Sequence, residues 1–204
     1  MSITYRAAWV PDDDPHRDWN DAAELAIDWI ENEAREQSKR VLLVTVSFNG
    51  ATYNSPLARY TRPDQHVTPR GGRRGPGSVP VLAFVPDMAT LEYAANLARN
   101  SSLCVIETKA EPLSGWAAVT GAVNLLTGKP ASLDEAVATH LDRLVFYGNN
   151  GYGDNFAKQH ARRILDDLAA AGVTDRDFIV SALAARGISL YGQKNIGKLI
   201  DRRS

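Results

Sequence analysis

Residues 79–107 read VPVLAFVPDMATLEYAANLARNSSLCVIE. Two short apolar runs, Val79–Val85 and Ser102–Glu107, flank a segment with a different period. Between them Leu91, Ala94, Ala95 and Ala98 recur at helical spacing, and Pro86-Asp87 marks the junction. Apolar runs of this length are buried strands, and the middle segment is an amphipathic helix. Strand, helix and strand in that order make a right-handed βαβ unit with its two strands parallel.

Working outward, Val41–Phe48, VLLVTVSF, is β-branched and apolar on both faces, as a central strand is. Upstream, Ile3–Trp9 is a further short strand. Asp18 or Asn20 then caps a helix over 19–38 that carries Ala22, Leu25, Ala26, Trp29 and Ile30 on one face. Downstream, Pro112 opens a helix expected to run to Gly128. The remainder reads as helices over about 132–146, 155–171, 174–185 and 189–202, with glycine-rich breaks between them. The expected fold is α/β: a short, mostly parallel sheet of three to five strands flanked by helices, with a helical C-terminal part. The expected domains are an α/β domain over 1–128 and a helical region over 129–204 packed on it.

Composition narrows the class. The chain has 204 residues, 44% hydrophobic and 23% charged, which is ordinary globular usage. No run reaches the roughly 18 apolar residues of a membrane span. The start has no basic stretch followed by an apolar one, so no signal peptide is expected. The single cysteine, Cys104, excludes an internal disulfide and a cysteine zinc cluster, and it reads as a small core residue. A cytoplasmic, membrane-free protein is the simple expectation.

The net charge of −1 conceals segregation. Residues 1–60 hold 6 basic and 10 acidic side chains, a net of −4. Residues 61–78, TRPDQHVTPRGGRRGPGS, hold 4 arginines and 1 acid, a net of +3. Residues 174–204 hold 6 basic and 3 acidic, again +3. In the 61–78 loop, glycines let backbone approach a ligand and arginines present forked donors to phosphate or carboxylate. Arg62, Arg70, Arg73 and Arg74, with Arg59 just before, are the candidate ligand-binding residues. A solvated loop explains the same composition without a ligand.

Asp87 and Glu107 stand at the ends of expected strands, where open α/β sheets bind ligands. They are the candidate catalytic pair for acid–base work; an N-cap for Asp87 and a salt bridge for Glu107 are the structural alternatives. Asn49, in SFNGATYNSP with Ser47, Thr52 and Asn54, is a candidate for holding a base or sugar. Asn49-Gly50 suits a hairpin turn and a strand-end loop equally. In residues 147–156, YGNNGYGDNF, the tyrosines could stack on a base, or the stretch is a plain interhelical turn. The basic tail suits phosphate contact, a helical cap or an oligomer contact. His16, His66, His140 and His160 show no zinc-like pair spacing within a helix, so no metal site is expected, and the sequence assigns no cofactor.

Three functions follow as expectations. The first is a binding protein for a phosphate-bearing ligand, nucleotide or nucleic acid, using the arginine loop and the carboxyl ends of the strands. The second is a nucleotide-processing enzyme with Asp87 and Glu107 in the same cleft. The third is a non-enzymatic assembly subunit whose loop and tail meet partner chains.

Overall fold

A computed structural model describes residues 4–51, 54–71 and 75–202. It is α/β, with a seven-stranded mixed sheet and seven α-helices among these residues. The described chain forms two compact units. One holds the described residues of Ile3–Pro112 with Ala122–Pro130; the other holds Leu113–Gly121 and the described residues from Ala131 onward. No described helix is long and apolar enough to cross a membrane.

The sheet unit contains β1 (Arg6–Val10), α1 (Trp19–Glu36), β2 (Leu42–Thr45), β3 (His66–Val67), β4 (Val81–Phe84), α2 (Met88–Leu97), β5 (Ser102–Ile106), β6 (Val123–Asn124) and β7 (Lys129–Pro130). Strand order is β3-β2-β4-β5-β1-β6-β7, with only the β6–β7 pair antiparallel. Because side chains alternate along a strand, each strand divides between two faces. Ala8, Val10, Leu43, Leu82, Phe84, Cys104 and Ile106 form one cluster with Ala22, Ala23, Ala26, Ile27 and Ile30 of α1. Leu42, Val44, Val81, Ala83, Leu103 and Val105 alternate with that set, and α2 packs against β2 and β4. Gly75 shows how closely: a Cβ there would lie 2.8 Å from Leu42 Cδ2 and 3.3 Å from Leu97 Cδ2. Cys104 is fully buried in β5, and burial raises its thiol pKa.

Two expectations are corrected, and one open choice is resolved. The sheet has seven strands, because the pairs at His66–Val67, Val123–Asn124 and Lys129–Pro130 are two residues each and carry no legible period. The helix expected from Pro112 to Gly128 is α3 (Ser114–Thr120) alone. Gly121 turns left-handed at φ 64° and ends it. Asn124 Oδ1 then accepts from Leu126 N–H, Gly128 at φ 70° completes a turn, and β6 pairs with β7. Asn49-Gly50 makes no hairpin: it lies in a 3-10 turn, Phe48–Ala51, and β2 and β3 are parallel.

The helical unit holds α3, α4 (Glu135–Tyr147), α5 (Asn155–Ala170), α6 (Arg176–Ala185) and α7 (Leu190–Asp201). Asp134, Asp154, Asp175 and Ser189 cap the last four, each side chain accepting from first-turn amides. Leu141, Leu144, Ile164, Leu168, Leu183 and Ile196 form the core. At Gly115 the backbones of α3 and α6 touch: a Cβ there would fall 1.9 Å from Phe178 O.

Candidate ligand site at the carboxyl ends of the strands

β1 to β5 are parallel, so Val10, Thr45, Val67, Phe84 and Ile106 end on one edge of the sheet. The turns that follow carry Asp12, Asn49, Arg70, Asp87 and Glu107 to that edge. The edge thus gathers Asn49, Asp87 and Glu107, separated in sequence, with one loop arginine. The other described arginines are elsewhere. Arg59 and Arg62 precede β3 and stand at its opposite end. Arg59 is ion-paired to Glu31 of α1 at 3.2 Å, and the Tyr60 hydroxyl also donates to Glu31. Arg73 and Arg74, like Thr52, lie outside the described residues. β3 divides the arginine-rich stretch, and at two residues it was too short to read in the sequence.

The connections part at the gap between β5 and β1. The chain leaves β1 toward the β2 side of the sheet and leaves β5 toward the β6 side. Such a switch point opens a crevice beyond the strand ends. Here Asp12, Arg17, Asp18, Trp19 and Glu107 surround a narrow cleft floored by Val10 and Ile106, with room for about one water molecule. Local bonds fix its walls. Asp12 Oδ2 accepts from Lys109 N–H at 2.8 Å. The Arg17 guanidinium donates to Pro11 O at 2.6 Å and pairs with Asp13 at 2.7 Å. Asp18 caps α1 by accepting from Asn20 N–H. Trp19 is 43% exposed, its ring edge-on to Phe84 with centroids 6.0 Å apart. Among the described residues, no group of three or more His, Cys, Asp or Glu is placed to hold a metal ion.

A second feature closes the β2–β3 end. Thr45 Oγ1 donates to Ser47 O at 2.7 Å, which turns the chain out of β2. Its one hydrogen is thereby used, so in the 2.7 Å contact with His66 the hydroxyl oxygen accepts from Nε2–H. His66 is buried, and burial lowers its pKa by disfavouring the imidazolium. The half-exposed Phe48 ring packs edge-on to the imidazole, centroids 5.1 Å apart. Gly71 lies so close that a Cβ would fall 2.9 Å from that ring and 2.8 Å from Thr68 Oγ1. Asn54 Nδ2 donates to Trp19 O, and Ser55 N–H to Asn20 Oδ1, so the chain beyond Phe48 is tied to the start of α1.

Asp87 accepts from Thr90 N–H at 2.7 Å and caps α2, so one carboxylate oxygen is engaged in the helix start. Glu107 is 8% exposed at the end of β5. Asn49 is exposed, and Asn54 is buried with its side chain bonded as above.

Trp19, Arg17, Asp12, His66 and Phe48 were not singled out as site residues from the sequence. The acidic run directly after β1 was the available signal for the crevice. His66 had none, since its strand has no period of its own.

The larger hollow in the sheet unit is at the amino edge, about 650 Å³, lined by Arg6, Gln37, Lys39, Asn100 and Ser101. It is broad and shallow, and its polar groups bond to one another. Arg6 pairs with Glu33 at 2.9 Å, Ser102 Oγ donates to Glu33, Gln37 Nε2 donates to Ser102, and Ser101 Oγ donates to Gln37. Size alone therefore does not make it the better site. No protein-family model, no curated protein and no solved structure matches the chain.

Proposed function

We propose that the sheet unit binds a small phosphate-bearing ligand of the nucleotide type along the carboxyl edge. The observation that carries this reading is the exposed indole of Trp19 among carboxylates at the rim of the β5–β1 switch point, where a base lies on the ring rather than in the one-water cleft beneath it. An indole face stacks a base, and carboxylates accept hydrogen bonds from ribose hydroxyls. An acid-lined crevice repels phosphate, so the phosphate is assigned to the other end of the edge, beside Arg70 and the turn after β2. Strands about 4.8 Å apart place the end of β2 roughly 12 Å from that crevice, about the length of a nucleoside phosphate. A small ligand is favoured over a nucleic-acid backbone in this unit because Arg59 and Arg62 stand at the opposite end of β3 from Arg70.

An enzymatic role for Asp87 and Glu107 in the same cleft is the secondary reading. It is supported by their following adjacent parallel strands, β4 and β5. Asp87 would act while keeping its bond to Thr90.

Thermal-shift titration with nucleoside mono-, di- and triphosphates tests the reading. The wild type is expected to gain several degrees at millimolar ligand. Arg70→Ala and Asp12→Asn are each expected to remove most of the gain while leaving the ligand-free midpoint within about 1 °C. No shift with any nucleotide, or equal shifts in both variants, contradicts it.

A further inference from the structure

The helical unit exposes an aromatic surface that packing inside the unit does not require. Phe146 is 70% and Phe156 64% exposed. Between them Tyr147 and His160 stack face to face, centroids 4.2 Å apart and planes 4° from parallel. Phe146 stands edge-on to Tyr147 at 5.1 Å, and Phe156 lies 4.4 Å from His160. Exposed rings in contact are costly to leave in water and mark an interaction surface.

Charge on α5 and α7 of the same unit says what it meets. The unit's acids are largely engaged within it. Asp134, Asp154 and Asp175 are N-caps, while Asp142, Asp167, Asp177 and Asp201 pair with Arg186, Arg143 and Arg176. Arg163, Lys194 and Lys198 are exposed and have no acidic partner among the described residues. Arg163 follows Phe156 by seven residues, with His160 between them on one face of α5. Tyr191, 62% exposed, precedes Lys194 and Lys198 by three and seven residues on one face of α7. The 148–154 turn, which connects α4 to α5, touches α7: Gly151 O accepts from Asn195 Nδ2 at 2.8 Å, and a Cβ on Gly151 would fall 2.6 Å from the Tyr191 ring.

We propose that this surface binds single-stranded nucleic acid, with bases stacking on Phe146 and Phe156 and phosphates meeting Arg163, Lys194 and Lys198. Aromatic faces beside unpaired cations are what a flexible polyanion with unstacked bases needs. A duplex keeps its bases stacked and out of reach of the rings. The proposed site uses residues of the helical unit alone and does not rest on the nucleotide reading.

The test is fluorescence anisotropy of the full chain with a labelled 15-nucleotide oligothymidylate across 50–200 mM salt. Binding is expected to weaken steeply with salt and to be stronger than for a duplex of equal length. The Phe146→Ala/Phe156→Ala variant is expected to weaken it at least about fivefold at every salt concentration. The Lys194→Gln/Lys198→Gln variant is expected to make the log–log salt slope shallower by about 1.4. Both pairs are exposed, so unchanged thermal midpoints serve as the folding control, and the lysine variant stands if the phenylalanine one does not fold. Absence of binding, or binding indifferent to both variants, overturns the proposal. So does a concentration-dependent dimer that the phenylalanine variant abolishes while oligothymidylate binding persists, which would assign the rings to contact between copies of the chain.

Discussion

The two edges of the sheet are built differently. At the amino edge, Glu33, Gln37, Ser101 and Ser102 bond to one another, and Arg6 covers them. Their polar atoms are matched side chain to side chain, which closes the edge. At the carboxyl edge, by contrast, side chains mostly bond to backbone: in turns and caps, as Asp18 to Asn20, Asp87 to Thr90 and Thr45 to Ser47, and in ties between loops, as Asp12 to Lys109 and Asn54 to Trp19. These hold the loops in place and leave Trp19 and Phe48 partly in solvent. The contrast teaches that satisfied polar groups mark where the fold is held, and that rings held open by local turns mark where it can meet something else.

The largest expected effect lies at the amino edge. Glu33→Ala removes a buried acceptor from Ser102 and one of the two carboxylates paired with Arg6, and should cost about 2–3 kcal/mol in urea unfolding. Ligand binding at the other edge should persist at temperatures where the variant is folded. A loss under 0.5 kcal/mol would show that the network does not hold this edge.

The next effect sharpens the carboxyl edge. His66 has a folded pKa below its unfolded value near 6.5, so the unfolded chain binds the proton first. Its contribution is present above about pH 6.5 and is lost as pH falls through that value toward the lowered folded one. Between pH 7.5 and 5.5 the loss should reach at most about 1.4 kcal/mol. His66→Asn should unfold with a correspondingly flatter pH dependence, and identical pH profiles would count against a buried neutral imidazole.

A smaller effect separates capping from chemistry at Asp87. Asp87→Ala should cost about 1 kcal/mol, and Asp87→Asn should restore nearly all of it, since both side chains cap equally well. Full ligand binding by Asp87→Asn would keep Asp87 in its structural role. Loss of binding at restored stability would place its charge in the site.

The long periodic segments were legible in the sequence. The runs now seen as β2, β4 and β5, and helices α1, α2, α5 and α6, lie within the spans that hydrophobic spacing indicated. Short elements set by side-chain bonds were not. Thr45 turns its chain by a hydroxyl bond, Gly121 stops α3 through its backbone, and β3 is held by pairing to β2, none of which leaves a periodic trace. The strand spans placed Asn49, Asp87 and Glu107 after strands, and the parallel pairing of β2, β4 and β5 puts those strand ends on one edge. Trp19, the first residue of α1, is off the helix's buried stripe, and Asp12 lies in the acidic turn before α1, which carries no periodic signal. The arginine stretch looked continuous because a two-residue strand cannot be seen in it.

On the proposed reading, the carboxyl edge and not the larger hollow opposite receives the ligand. Backbone amide chemical shifts of the labelled full chain, followed during titration with a nucleoside diphosphate, test it most directly. Perturbations are expected to cluster at Asp12, Trp19, Phe48, Arg70 and Glu107. Perturbations confined to Arg6, Lys39 and Ser101, or none at millimolar ligand, would contradict it.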